Sequence, residues 1–287
     1  MKRILAFFAA MAFGMPGVIV AAERPKPQRV MSLNLCTDQL VLQLLPPERI
    51  SSVTYISRIP GYSFLTAQAR AVPVNDATAE EVLRDHPDLV IAGSTSTTPI
   101  RALLRKTGIP LLEVPAADNF EEIRNVTRLV AHAVGEDAAG ETLIAHMDRT
   151  LGALAASAPT KIVVAGWNGA GDVPAKGTLF DAILTAAGGV NVVAGINAHI
   201  VYGQYTGFDL EQLVAMRPDL LAYGRSRAGA LDLANQTLQH RIVRKLYAGR
   251  QITYPETLYN CGLPQSADAA RDLRHAMLAA MHKETAP

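Results

Sequence analysis

Residues 78–93 read Thr-Ala-Glu-Glu-Val-Leu-Arg-Asp-His-Pro-Asp-Leu-Val-Ile-Ala-Gly, and residues 209–224 read Asp-Leu-Glu-Gln-Leu-Val-Ala-Met-Arg-Pro-Asp-Leu-Leu-Ala-Tyr-Gly. The two stretches lie 131 residues apart and align without a gap. Each begins with a helix-capping residue, Thr78 or Asp209. Three places on stands Glu81 or Gln212, the spacing of a capping box. Each then passes through Pro-Asp-Leu into a short apolar run that ends at glycine. Helix, turn and buried strand recur in the same order, so the pattern predicts two homologous lobes.

Working outward, the same alternation continues. Strands are expected over 29–33, 50–55, 88–92, 110–114 and 161–165. Helices are expected over 37–45, 78–85, 100–106 and 120–134. Strands that are apolar without alternation belong to a parallel sheet covered on both faces. A longer helix is expected over 136–157, with Leu143, Ile144, Met147, Leu151 and Leu154 as its apolar stripe. The fold class is therefore α/β: two Rossmann-like lobes with parallel sheets, joined by a single long helix. A length of 287 residues agrees, at roughly 150 residues per domain.

The first 22 residues are read apart from the fold. Lys2 and Arg3 precede an apolar run from Ile4 to Ala22, broken by Gly14, Pro16 and Gly17 and ending in the small residues Ala21 and Ala22. This is the pattern of a cleavable secretory signal peptide. The expected organisation is signal peptide 1–22, N-terminal lobe 23–135, connecting helix 136–157 and C-terminal lobe 158–287, exported to a periplasm without membrane insertion. Composition narrows the function. Apolar residues at 49% exclude disorder, and a formal net charge of +1 leaves no basic field for nucleic acid. Two cysteines are too few for a disulfide scaffold or a cysteine-based metal site.

The signal peptide, the paired Pro-Asp-Leu segments and the long connecting helix together resemble one family. It is the periplasmic binding proteins that carry cobalamin, ferric siderophores or haem to ABC importers. Leu179-Phe180-Asp181-Ala182-Ile183-Leu184-Thr185-Ala186-Ala187-Gly188-Gly189-Val190-Asn191 is similar to that family's second-lobe signature. The resemblance implies a monomeric binding component with no catalytic residue and no cofactor of its own, delivering a metal chelate to a dimeric ABC permease. It also implies that one glutamate per lobe docks on the permease. Glu80 and Glu211 hold the matching positions. The helix dipole also favours a carboxylate in a first turn, so position alone leaves both explanations open.

Ligands of parallel α/β sheets bind beyond the carboxyl ends of the strands. In the first lobe this selects Asn34, Cys36, Thr37 and Asp38, then Arg58 and Tyr62, then Ser94, Thr95 and Ser96. In the second it selects Trp167 and Asn168, Tyr202 and Tyr205, Arg225 and Arg227, and Tyr259 with Cys261. Aromatic faces suit large flat ligands, and arginines suit carboxylates or anionic oxygens. Ferric siderophores rank first on the arginines, cobalamin second and haem third. Cys36 and Cys261 fall in opposite lobes; they either pair in an oxidising compartment or remain separate thiols at a ligand-contacting position.

Two other classes fit less well. A bare-metal receptor needs histidines at strand ends, and of seven histidines only His199 lies near the cleft. An exported enzyme acting in the cleft would need a recognisable motif. Gly166, Gly169 and Gly171 follow a strand in the wrong order for dinucleotide binding.

Overall fold

The computed structural model describes residues 25–94, 98–167, 173–196, 200–201, 204–205, 208–224 and 239–284. The expected signal peptide lies outside the described residues. No helix among the described residues is long and apolar enough to cross a membrane.

The first lobe holds β1 (Val30–Ser32), α1 (Leu35–Leu44), β2 (Ile50–Thr54), α2 (Thr66–Arg70), β3 (Val74–Asn75), α3 (Ala79–Asp85), β4 (Leu89–Gly93), α4 (Thr98–Thr107), β5 (Leu111–Val114) and α5 (Phe120–Val134). Its five strands run parallel in the order β3-β2-β1-β4-β5. Next comes α6 (Asp137–Ala155), whose 19 residues span about 28 Å. The second lobe adds β6 (Val163–Trp167), β7 (Val173–Pro174), α7 (Leu179–Ala186), β8 (Val190–Asn191), β9 (Ile200–Val201), β10 (Gln204–Tyr205), α8 (Leu210–Met216), β11 (Leu220–Gly224), α9 (Arg241–Leu246), β12 (Gln251–Tyr254) and α10 (Ser266–Glu284). Here β12-β11-β6-β8 form a parallel sheet, and β7-β10-β9 a small antiparallel one.

The repeat is visible atom by atom. Thr78 accepts the Glu81 backbone N–H, and Asp209 accepts that of Gln212. Glu81 returns the favour by accepting the Thr78 and Asp76 N–H groups. Helices α3 and α8 both end in a left-handed residue, His86 (φ 45°) and Arg217 (φ 47°). The following prolines start the turn into β4 and β11, since proline cannot continue a helix.

The connecting helix is tied down at both ends. At its start, Glu136 meets Lys26 at 3.2 Å and Arg49 at 2.5 Å. Lys26 and then Arg49 hold the Glu136 carboxyl below its ordinary value. Arg49 also donates to the Val134 carbonyl at 2.6 Å, closing the end of α5. Just past the other end, Arg274 of α10 donates to Ala158 and Ala187 carbonyls. Met147, Ile144 and Leu154 of α6 are buried, as the apolar stripe requires.

Candidate functional site

In the first sheet the chain runs outward through β1, β2 and β3, then returns to place β4 on the other side of β1. Such a reversal opens a crevice at the carboxyl ends of the two neighbouring strands. A cavity of about 160 Å³ lies there. Asn34, Cys36 and Thr37 line it after β1, Gly93 at the end of β4, and residues 114–118 after β5. Leu40 and Val126 complete the first-lobe side, and the second lobe supplies Leu179 and residues 259–262. The described part of the cleft is thus a shared cavity whose floor belongs to both lobes. It is smaller than the roughly 300–1,000 Å³ of drug-sized sites, so a macrocyclic ligand requires more room toward the mouth.

Local structure explains how these residues are held. Asn34 caps α1 by accepting the Cys36 N–H at 2.9 Å. The Thr37 hydroxyl donates to the Asn34 carbonyl and lies 2.7 Å from that of Ser32. Cys36 and Cys261 form a disulfide with Cα atoms 5.3 Å apart, so the pairing left open by the sequence is made. Residues 259–265 lie against the first lobe along this line. Asn260 donates to the Tyr62 carbonyl, and Gln265 to Gln43 at 2.5 Å. A β-carbon on Gly262 would overlap the Ala117 carbonyl oxygen, so the two backbones meet directly.

Several expected ligand contacts have other work. Trp167 was expected to face the cleft; instead it is 1% exposed and packs edge-on against Phe208 at 6.1 Å. As the last residue of β6 it points into the second-lobe core. Arg58 was expected to hold an anion; its guanidinium donates to the Ala69 and Val72 carbonyls at 3.1 and 2.6 Å. It closes the end of α2, a helix too short to show periodicity. Tyr259 does line the cavity, but its ring stacks 4.3 Å from Tyr254 and 6.0 Å from Phe180. Its hydroxyl is buried without a hydrogen-bond partner among the described residues, and burial pushes it well above the ordinary tyrosine range.

Tyr62 stands out into solvent, 52% exposed. Tyr55 and Ile59, on the same segment after β2, are exposed too. Ser94 follows β4 and donates its N–H to the Val114 carbonyl at 2.7 Å. Glu80 and Glu211 are both exposed in the first turns of α3 and α8. Thr95, Ser96, Asn168, His199, Tyr202, Arg225 and Arg227 lie outside the described residues, as does the side chain of Tyr205.

One buried group had no role in the sequence reading beyond a strand-end position. Asp38, in the first turn of α1, is fully buried. Its carboxylate accepts the Thr54 N–H at 3.1 Å, the Thr54 hydroxyl, and the Ser57 hydroxyl at 2.7 Å. It thereby clamps the end of β2 and the turn that leads to Tyr62. Burial pushes its pKa up to about 7, against the hydroxyls of Ser32, Thr54 and Ser57, which favour the charged form. Among the described residues no group of three or more His, Cys, Asp or Glu could hold a metal ion.

Comparison with known proteins adds three observations. A family model described as periplasmic binding protein matches residues 30–251. A cobalamin-binding protein of Halobacterium salinarum is 27% identical over 218 residues, 74% of this chain; the match spans 58% of that relative's length. Among solved structures, the periplasmic heme-binding protein of Roseiflexus sp. RS-1 superposes with a TM-score of 0.72 at 22% identity, covering 88% of this chain and 98% of its own. The periplasmic vitamin B12 binding protein of Vibrio cholerae gives 0.67 at 16%, covering 89% and 98%. At these identities the two structures speak for the fold alone.

Proposed function

For a chain that belongs to the periplasmic binding protein family, we propose the role of cargo-binding component of an ABC importer, taking a metal chelate between its lobes and delivering it to a dimeric permease. The observation that carries this is the cavity at the reversal of the first sheet, walled by both lobes. A cavity with two independent walls binds by enclosure. Export through a signal peptide at residues 1–22 and a monomeric state belong to the same reading.

For the cargo, cobalamin takes first place over a ferric siderophore. The siderophore ranking rested on an arginine cluster, and Arg58 is committed to backbone carbonyls. Tyr55, Ile59 and Tyr62, exposed on the segment that follows β2, offer an aromatic and aliphatic edge. Such an edge suits the flat, partly apolar face of a corrinoid. The cobalamin-binding relative from Halobacterium salinarum supports the same order. Heme is the second reading, favoured by the exposed Tyr62 phenol as an iron ligand.

Equilibrium dialysis of the purified mature protein against cyanocobalamin, hemin and a ferric hydroxamate tests this. Cyanocobalamin is expected to bind most tightly and to raise the melting temperature without turnover. Failure of all three to bind below about 10 μM, near 7 kcal/mol, would reject the cargo assignment.

A further inference from the structure

The lobes are joined covalently in two places. One is the backbone through α6; the other is the Cys36–Cys261 disulfide, which closes a separation of 225 residues. The disulfide crosses between lobes, and both of its cysteines line the inter-lobe cavity. Cys36 is partly exposed, whereas Cys261 is 3% exposed. Around it residues 259–265 meet the first lobe through polar contacts, Asn260 on Tyr62 and Gln265 on Gln43, and through the main-chain contact of Gly262 on Ala117. With the disulfide open, α6 is the one covalent link left between the lobes.

We propose that Cys36–Cys261 is a redox latch between the lobes, opened by a small dithiol that enters through the cavity. The thiolate attacks the Cys36 sulfur, and the Cys261 sulfur leaves and takes a proton. The reagent's second thiol then displaces Cys36 from the mixed disulfide. Two electrons and two protons pass to the protein, leaving two cysteine thiols and an oxidised, cyclic reagent. Cargo seated over the cavity closes the route to Cys36, so occupancy slows reduction. This last clause rests on the cargo reading; the latch itself does not.

The test uses the full mature chain. Dithiothreitol, without denaturant, is expected to reduce the disulfide, read by intact mass. Hydrogen exchange should then quicken at residues 35–38 and 259–265 but not in α5, and the radius of gyration should rise in solution scattering. The Cys36→Ser, Cys261→Ser double variant should behave like the reduced protein; if it does not fold, the reduced wild type carries the comparison alone. Resistance to reduction without denaturant, or reduction that leaves exchange at residues 259–265 and the radius of gyration unchanged, overturns the latch. With cyanocobalamin bound, reduction should slow, and cobalamin should bind the reduced protein about fivefold more weakly, the low end of typical couplings in affinity. Absence of cyanocobalamin binding strikes the cargo reading, while the ligand-free measurements still decide the latch.

Discussion

Asp88 and Asp219, 131 residues apart, make the same joint in the two lobes. The Asp88 carboxylate accepts the Gln28 and Arg29 N–H groups at 2.7 and 2.9 Å, and its own N–H donates to the Arg29 carbonyl. Asp219 accepts the Val163 N–H at 2.8 Å and donates its N–H to the Val163 carbonyl at 2.7 Å. In each lobe the aspartate of the Pro-Asp pair fastens the entry of the first strand beside the strand that follows it. Replacing either by Ala is expected to cost about 0.5–1.5 kcal/mol, the net worth of a typical hydrogen bond, with Asp88 at the lower end because water reaches its partners. Urea titration measures the cost. Native-state hydrogen exchange should show Asp88→Ala loosening β1 and Asp219→Ala loosening β6, each without effect on the other lobe.

Asp38 makes stability depend on pH in an unusual direction. Its folded value of about 7 lies above the ordinary 3.8, so the folded chain keeps a proton that the unfolded chain releases near pH 4. Between pH 4 and 7 the folded state binds more protons, and stability falls as pH rises. The loss from this group amounts to about 4 kcal/mol at 1.36 kcal/mol per pH unit, and it levels off above pH 7. Asp38→Asn should flatten this slope, as measured by urea midpoints at pH 4.5 and 7.5. A variant whose profile runs parallel to the wild type would show that the carboxyl is ionised throughout.

The Tyr259 hydroxyl is buried and has no hydrogen-bond partner among the described residues, while its ring is packed on Tyr254 and Phe180. Tyr259→Phe is therefore expected to leave stability unchanged or raise it by about 1 kcal/mol, because a desolvated hydroxyl is removed. Tyr259→Ala should cost about 3–5 kcal/mol through the lost aromatic packing. Thermal denaturation of the two variants separates ring from hydroxyl.

Glu80 and Glu211 supply a test of permease docking. Both are exposed, so changing both to Ala should alter folding stability by less than about 1 kcal/mol. Ligand affinity should stay the same. Uptake in cells at limiting binding-protein concentration should fall, and further for the double change than for either single one. Uptake at the wild-type rate would leave the two residues as helix-dipole partners only.

The lobes were readable because their signals are local. Capping residues, proline and glycine set the ends of α3 and α8, and Phe120–Val134 shows its helical period within one window. Contacts between distant segments leave no such trace. Trp167 sits at a strand end, where a ligand contact is a fair expectation, yet its ring turns toward Phe208, which lies 41 residues further on. Arg58 reads as a free charge until α2 is known to end beside it. The separation of Cys36 and Cys261 depends on how the lobes meet, which no spacing encodes. Asp38 could have been suspected: an aspartate followed by Gln39, Leu40 and Val41 inside an apolar helix has little water in reach.

The contact between Gly262 and the Ala117 carbonyl has a bearing on how this chain can vary. The lobes touch there through main chain, with no side chain as spacer. Their closest approach is therefore independent of the amino acids chosen at the mouth of the cleft. Substitutions at the exposed Tyr55, Ile59 and Tyr62 leave that main-chain contact as it is. That glycine therefore sets the spacing of the two halves apart from the side chains that face solvent nearby.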